Sequence, residues 1–306
     1  MAKKTKTRVG HVALIGRPNV GKSTLLNNLL GHKVAIISDK PQTTRRSILG
    51  IKTTEAGQII FVDNPGIHKP LHRLNKRMMS FVYSSLETSD LICLLIDATL
   101  RFGHGDQFVI NILKKTSTPV FLLINKVDIL KKEKILLIID KYKDLMDFKE
   151  IIPISALKGT NLDILEEKIF EHLPKAEKIS PDGETSVQSN RFLLSEIIRE
   201  KVLGHVREEL PFVTAVYIDA IEDRPRANTS EKDKATKFIR ATVFVEKDSH
   251  RRIVIGKRAG LIKAIGTESR REMENVLGVK IFLDLQVRVK ERWRDSAKVL
   301  DLIEGQ

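Results

Sequence analysis

The stretch that decides the fold is Gly16-Arg17-Pro18-Asn19-Val20-Gly21-Lys22-Ser23. It matches G-x-x-x-x-G-K-[ST], and its context is the one this motif requires: a strand-like run, His11–Ile15, before it and a helix-length segment, Lys22–Leu30, after it. The glycines let backbone N–H groups curl around a β-phosphate, and the helix N-terminus adds positive potential. Lys22 is placed to reach the β- and γ-phosphates, and the Ser23 hydroxyl to ligate Mg²⁺. The loop predicts a nucleoside triphosphate site but does not choose the base.

The base is chosen further along, at Asn125-Lys126-Val127-Asp128, which follows the apolar run Val120–Ile124. A carboxylate at Asp128 can accept from guanine N1–H and from the 2-amino group. Adenine offers neither, and an unpaired buried carboxylate costs on the order of 2–5 kcal/mol. Lys126 is expected along the base and the phosphate loop. Ser155-Ala156-Leu157 is expected to supply a backbone N–H to guanine O6. The nucleotide read from these residues is GTP or GDP. Asp63-Asn64-Pro65-Gly66 ends another apolar run. Asp63 is placed for a water-mediated Mg²⁺ contact and the Gly66 N–H to sense the third phosphate. Lys40-Pro41-Gln42-Thr43-Thr44-Arg45 offers a threonine to close over the metal; Thr44 is favoured and Thr43 stays open. Ile67 stands where the Ras-type template has a water-orienting glutamine, and its side chain cannot hydrogen bond. His68 reads as a solvated or capping side chain, because phosphoryl transfer needs charge stabilisation more than a strong base.

Around these motifs the chain alternates apolar runs (Ile48–Ile51, Gln58–Val62, Leu91–Ile96, Ile151–Ile154) with helix-length segments (Leu71–Glu87, Asp106–Lys114, Lys131–Met146, Leu162–Phe170). This order predicts an α/β domain over residues 1–173 with a mostly parallel sheet, in which the second and third runs form a hairpin at Ala56-Gly57. Residues 174–190, with Pro174, Pro181 and Gly183, read as a linker. Residues 191–306 then follow a different order and form a smaller α+β domain. The expected elements are a helix (Asn190–Val206), a strand (Phe212–Ala220), a charged excursion (Ile221–Lys234), a strand (Ala235–Glu246), two helices (His250–Ile255, Leu261–Leu277) and a strand (Lys280–Lys290). In the last strand Ile281, Leu283, Leu285, Val287 and Val289 share one face.

The 306 residues carry 30% charged and 42% hydrophobic side chains, an ordinary globular balance. No apolar stretch approaches the roughly 20 residues of a membrane-spanning helix, and the N-terminus lacks the apolar core of a signal peptide. Cys93 is the single cysteine and sits in an apolar run, so a buried thiol in a reducing, cytoplasmic setting is expected. The net charge of +14 is uneven: residues 1–10 hold four Lys/Arg and no acid, and residues 231–300 hold eighteen against ten acids. A phosphate-rich partner, RNA or an anionic membrane surface, follows from that excess.

The ordered set G-x-x-x-x-G-K-S, T-T-R, D-x-P-G, N-K-x-D and S-A-L resembles the translation-factor class of GTPases, whose bacterial members with G-R-P-N-V-G-K-S act in ribosome assembly and tRNA modification. In the C-terminal third, His250-Arg251-Arg252-Ile253-Val254-Ile255-Gly256-Lys257-Arg258-Ala259, followed by Ile262, Ile265 and Gly266, resembles a type II KH domain. Together they are similar to the Era-like family of ribosome-assembly GTPases. The resemblance implies RNA contact at Ile255, Gly256, Lys257, Arg258, Ala259, Gly260 and Lys263. It also implies 16S ribosomal RNA and the 30S subunit as partners, a monomeric state, and peripheral contact with the inner face of the cell membrane. A KH loop reads G-x-x-G; here Ala259 stands at the second glycine, with Gly260 one step on. Either the turn needs no positive φ at that point or it is shifted by one residue. By resemblance to potassium-stimulated GTPases, Asn19 is expected to hold K⁺ beside the phosphates, and with Lys22, Thr44 and Gly66 it completes the candidate catalytic set. Two functions are compatible with these residues: a GTP-hydrolysing switch that binds RNA, and an RNA-binding adaptor with nucleotide as a structural ligand. The complete motif set favours the first, and Ile67 gives credit to the second.

Overall fold

The computed structural model describes residues 7–181, 183, 185, 188–224 and 236–305. The basic residues 1–6 and most of the charged excursion expected over 221–234 lie outside them. Contacts divide the chain into two units, one made of residues up to 71 and 75–187, the other of 72–74 and 188 onward. Among the described residues no helix is long and apolar enough to cross a membrane.

In the first unit β1 (Thr7–Gly16) is the centre of the sheet, with β3 (Gly57–Asp63) on one side and β4 (Leu91–Asp97) on the other, both parallel to it. Strands covered on both faces need continuous apolar side chains, and β3, β4 and β5 (Val120–Asn125) are buried almost end to end. The order is β2-β3-β1-β4-β5-β6, with β6 at Glu150–Pro153. Only β2 (Ile48–Thr53) on this path runs antiparallel, paired to β3 as the expected hairpin. Helices α1 (Lys22–Leu30), α2 (Arg73–Thr88), α3 (His104–Leu113), α4 (Lys132–Lys143) and α5 (Leu162–His172) connect the strands. Parallel strands bring their C-terminal ends to one edge, so the loops after β1, β3, β5 and β6, which carry the motifs, emerge together. Cys93 is fully buried in β4, and burial pushes its thiol far above the ordinary range.

The segment expected as a linker is tied down over much of its length. Lys175–Ala176 forms β7, antiparallel to the start of β1. The fully buried Gln58 accepts from the Ile179 and Ser180 N–H groups (2.8 and 2.9 Å) and donates to the Ser180 carbonyl (2.9 Å). The Ile51 N–H donates to the Thr185 carbonyl. These bonds satisfy backbone groups that a free tether would leave to water, and they move the division between units to residues 187 and 188.

The second unit starts at Ser189, whose hydroxyl accepts from the Phe192 N–H and caps α6 (Asn190–His205). It continues with α7 (Leu210–Val213), β8 (Ala215–Arg224), β9 (Thr236–Val245), α8 (Asp248–Ile255), α9 (Gly260–Leu277), β10 (Ile281–Val289) and α10 (Ala297–Glu304). The sheet order is β10-β9-β8; β8 and β9 are antiparallel, and β9 and β10 parallel. The strand expected from Phe212 begins at Ala215, because Pro211 starts a helical turn, and it runs on to Arg224. In β10, Ile281 is buried and Leu283, Leu285 and Val287 pack against the core, while Val289 is 36% exposed as the strand leaves it. Trp293 is buried and its indole donates to the Val213 carbonyl at 2.7 Å, a packing residue of this unit.

Candidate functional site

Two glycines shape the loop after β1. Gly16 has φ 153, and a Cβ there would lie 2.4 Å from the Leu95 carbonyl; at Gly21 (φ 101) it would lie 2.3 Å from Asn125 Nδ2. The loop therefore closes against β4 and against the guanine motif, with no room for a side chain at either point. Asn19, at φ 64, donates its side-chain amide to the Asp39 carbonyl at 2.5 Å. Arg17 is turned to Asp106 at 2.9 Å, at the start of α3. Pro18 packs so closely on Gly66 that a Cβ on Gly66 would lie 2.6 Å from the Pro18 nitrogen.

Behind the loop the charges are buried. Lys22 donates to the Arg17 and Gly16 carbonyls (3.2 and 3.5 Å). Burial pulls its ammonium below the ordinary range, with Asp63 opposing. Burial pushes the Asp63 carboxyl up, against the pull of Lys22, Ser23 and Thr44. Asp63 Oδ2 accepts from Ser23 Oγ at 2.6 Å, and Thr44 Oγ1 lies 3.0 Å from Ser23 Oγ and 3.4 Å from Asp63 Oδ2. Asp63 Oδ1 is buried with no hydrogen-bond partner among the described residues. Of the two candidate threonines, Thr44 joins this cluster, and Thr43 donates to the Lys40 carbonyl instead. Lys22, Ser23, Thr43 and Thr44, with Asn19, Gly66 and Lys126, line a cleft of about 430 Å³, and the fully buried Asp63 backs the hydroxyls of Ser23 and Thr44. Two hydroxyls, one carboxylate with an orphaned oxygen and one desolvated ammonium fit a magnesium–phosphate group, since Mg²⁺ takes few protein ligands beside phosphate and water.

The segment after β3 is partly structural. Asn64 is fully buried, donating to the Val62 carbonyl and accepting from Ser47 Oγ. The Ile67 N–H donates to the Gly16 carbonyl at 3.0 Å, and its side chain is buried in the core with Ile15 and Val82. His68 is half-buried rather than solvated. Its Nδ1 lies 2.7 Å from the Gly66 carbonyl, and its Nε2 lies 2.9 Å from Asn75 Nδ2 and 3.3 Å from Gln42 Nε2. It thereby bridges the threonine segment and the D-x-P-G segment, a role that residue type alone did not reveal.

At the base end, Asn125 is buried; it donates to the Val20 carbonyl (2.7 Å) and accepts from the Ala156 N–H (2.8 Å). That N–H is one of the backbone N–H groups that Ser155-Ala156-Leu157 offers for guanine O6, and here it is engaged within the site. The Val127 N–H donates to the Ile154 carbonyl. Asp128 is exposed, and its Oδ1 accepts from Ser155 Oγ at 2.6 Å, which fixes the carboxylate's direction. Lys126 reaches the Asn19 carbonyl at 3.1 Å and Asp97 Oδ2 at 2.5 Å. Burial raises the Asp97 carboxyl, but hydrogen bonds from Lys126 and Thr99 outweigh it and hold the group below the ordinary range. Sequence reading stopped at Ile96 and missed Asp97. The signal was its place beside Asn125 at the same edge of the sheet.

In the second unit the turn between α8 and α9 carries the expected basic residues. Gly256 has φ 73, and a Cβ there would meet Leu261 at 2.7 Å. Arg258 (φ 52) and Ala259 (φ 58) follow in the left-handed region, and Gly260 (φ −65) is an ordinary helical residue. Neither expected way out is taken: the turn is not shifted, and Ala259 adopts the positive φ. Lys257, Arg258 and Lys263 are exposed, without an ion-pair partner among the described residues, whereas Arg251 and Arg252 are paired with Asp248. Ile255 is half-buried at the end of α8.

A family model described as 50S ribosome-binding GTPase matches residues 11–126, and a KH domain model matches residues 226–294. A GTPase Era from Heliobacterium modesticaldum is 45% identical over 295 residues, 96% of each chain. The chain belongs to the Era family of GTPases. Its architecture, a phosphate-loop GTPase domain followed by a KH domain, is that of solved members. A crystal structure of Era in complex with MgGDPNP and nucleotides 1506–1542 of 16S ribosomal RNA superposes with a TM-score of 0.91 at 39% identity, covering 97% of this chain and 98% of that one. A tyrosine-to-alanine variant of Aquifex aeolicus Era bound to GDP and aluminium fluoride gives 0.89 at 38%, covering 97% and 99%. The chain is thus a GTPase of the Era family.

Proposed function

We propose that this Era-family GTPase is a magnesium-dependent switch that binds the 3′ region of 16S ribosomal RNA through its KH unit and acts in assembly of the 30S subunit. The RNA reading follows from the RNA-bound relative together with the exposed cations Lys257 and Arg258 of the turn and Lys263 of α9, which have no ion-pair partner among the described residues. The observation that carries the switch is the cluster of Ser23, Thr44 and Asp63, with one Asp63 oxygen unpartnered among the described residues and the buried Lys22 within electrostatic reach. Ser23 and Thr44 would ligate Mg²⁺ directly and Asp63 through water; the metal supplies charge neutralisation for the β- and γ-phosphates. Lys22 neutralises the same oxygens, and the Gly66 N–H senses the third phosphate. Asp128, aimed by Ser155, grips the guanine edge, and Lys126 is held along the base by Asp97.

Ile67 is locked in the core, so the attacking water is oriented by other groups and intrinsic turnover is slow. Asn19 would offer its amide oxygen to K⁺, whose charge would stand in for an arginine finger. Turnover in K⁺ and Na⁺ buffers of equal ionic strength, with and without RNA, tests this. Faster turnover in K⁺, lost in Asn19→Ala, is expected; equal rates in the two salts refute the cation role. No turnover under any of these conditions would favour the adaptor reading instead.

A further inference from the structure

The Arg17 side chain is not part of the lining of the nucleotide cleft and lies instead against the start of α3. Its Nη1 donates to Asp106 Oδ2 at 2.9 Å, and the same oxygen accepts from the Gly103 N–H at 2.9 Å. One buried carboxylate thus both caps α3 and holds the guanidinium. The guanidinium also lies against Gly105, where a Cβ would come within 2.8 Å of Arg17 Nε and 3.1 Å of its Cζ. Gly105 sits in the first turn of α3 without a positive φ, so its missing side chain serves the approach of Arg17 rather than the backbone.

The main chain of Arg17 reaches the other way. Its carbonyl accepts from Lys22 Nζ at 3.2 Å, beside the Gly16 carbonyl, which takes Lys22 Nζ at 3.5 Å and the Ile67 N–H at 3.0 Å. A buried ammonium is aimed by the carbonyls it donates to, and these two belong to a loop with a glycine at each end, which is loose unless anchored. We propose that Arg17 and Asp106 are positioning residues for phosphate binding. Their ion pair fixes the Arg17 peptide from outside the cleft and so holds the Lys22 ammonium where the β-phosphate arrives, an order that binding then need not impose. GDP and GTP both carry that phosphate, so the clamp strengthens both alike and does not select between them. This rests on the nucleotide reading above and deepens it.

The test measures GDP and GTP affinity of the full-length, magnesium-loaded protein by calorimetry, and the urea midpoint of the nucleotide-free protein by far-UV circular dichroism. Arg17→Ala is expected to weaken both nucleotides roughly tenfold, the loss of one charge-assisted hydrogen bond, and to raise KM for GTP by the same factor with far less change in kcat. Gly105→Ala separates aiming from folding, and it decides the matter if Arg17→Ala unfolds. Alanine favours a helix over glycine, so its urea midpoint should hold or rise, while its methyl displaces the guanidinium and both affinities fall. Asp106→Asn keeps an acceptor for the Gly103 N–H and loses the charge; added to Arg17→Ala it should cost little more, because the two act through one contact. Unchanged affinities in Gly105→Ala, a loss confined to GTP, or fully additive losses in the double variant would each overturn the clamp. If the unsubstituted protein binds neither GDP nor GTP, the nucleotide reading itself has failed; if it binds both and the variants match it, only the clamp has.

Discussion

At Ala259 the backbone takes φ 58, a conformation that costs a residue with a Cβ roughly 1–2 kcal/mol, while the next residue, Gly260, spends its freedom on ordinary helical angles. Glycine at 259 would relieve that strain but give the unfolded chain more freedom, so Ala259→Gly is expected to stabilise the second unit by about 0.5–1 kcal/mol. Gly260→Ala, where a Cβ would meet nothing within 4 Å, is expected to add a similar amount. The sole tryptophan, Trp293, lies buried in this unit, so its fluorescence in a urea titration reads both effects. A lowered midpoint for Ala259→Gly would mean the turn is not strained. Spacing in the sequence puts Ala259 at this turn but does not say how the turn absorbs it, because φ depends on where α8 and α9 must join. The same limit applies at Asp97 and His68. Spacing places the motifs, yet the partners that aim them come from other strands and loops.

Among elements, the segment 175–185 shows what a pattern of prolines, glycine and polar residues does not encode. β7 is two residues long, too short for any periodicity, and exists because β1 has an open backbone position beside it. Gln58, inside a strand of apolar neighbours, was the legible oddity: a fully buried amide must be satisfied, and it is satisfied by Ile179 and Ser180. Gln58→Ala is expected to release this segment. Amide hydrogen exchange at Ile179 and Ser180 should quicken by an order of magnitude or more, corresponding to roughly 1–3 kcal/mol of lost hydrogen bonding, while exchange in β4 and β5 stays as before. Unchanged exchange at those two amides would show that β7 alone anchors the segment. The main strands and helices of both units were legible because they are long and periodic. The short α7 and the C-terminal α10 were not, since each is fixed chiefly by what it packs on.

For the whole molecule, a nucleotide switch with an RNA-binding unit requires that the two ligands feel each other. The third phosphate would order Thr44 and Gly66, and by linkage RNA affinity must then differ between the GTP- and GDP-bound protein. A coupling of 1–3 kcal/mol would appear as roughly a 5- to 150-fold difference in Kd for the RNA fragment. Identical affinities would mean the two units act independently. That coupling presupposes the nucleotide itself, and here the account rests on one side chain. Ser155 aims Asp128 into the exposed edge of the site, and only guanine presents the two donors that satisfy it. Isothermal titration calorimetry of the magnesium-loaded protein with GTP and with ATP is therefore the most direct measurement. The account predicts tight, saturable binding of GTP and at least a hundredfold weaker binding of ATP, with the preference abolished in Asp128→Ala. Equal affinities for the two nucleotides in the unsubstituted protein, or no heat from either, would contradict it.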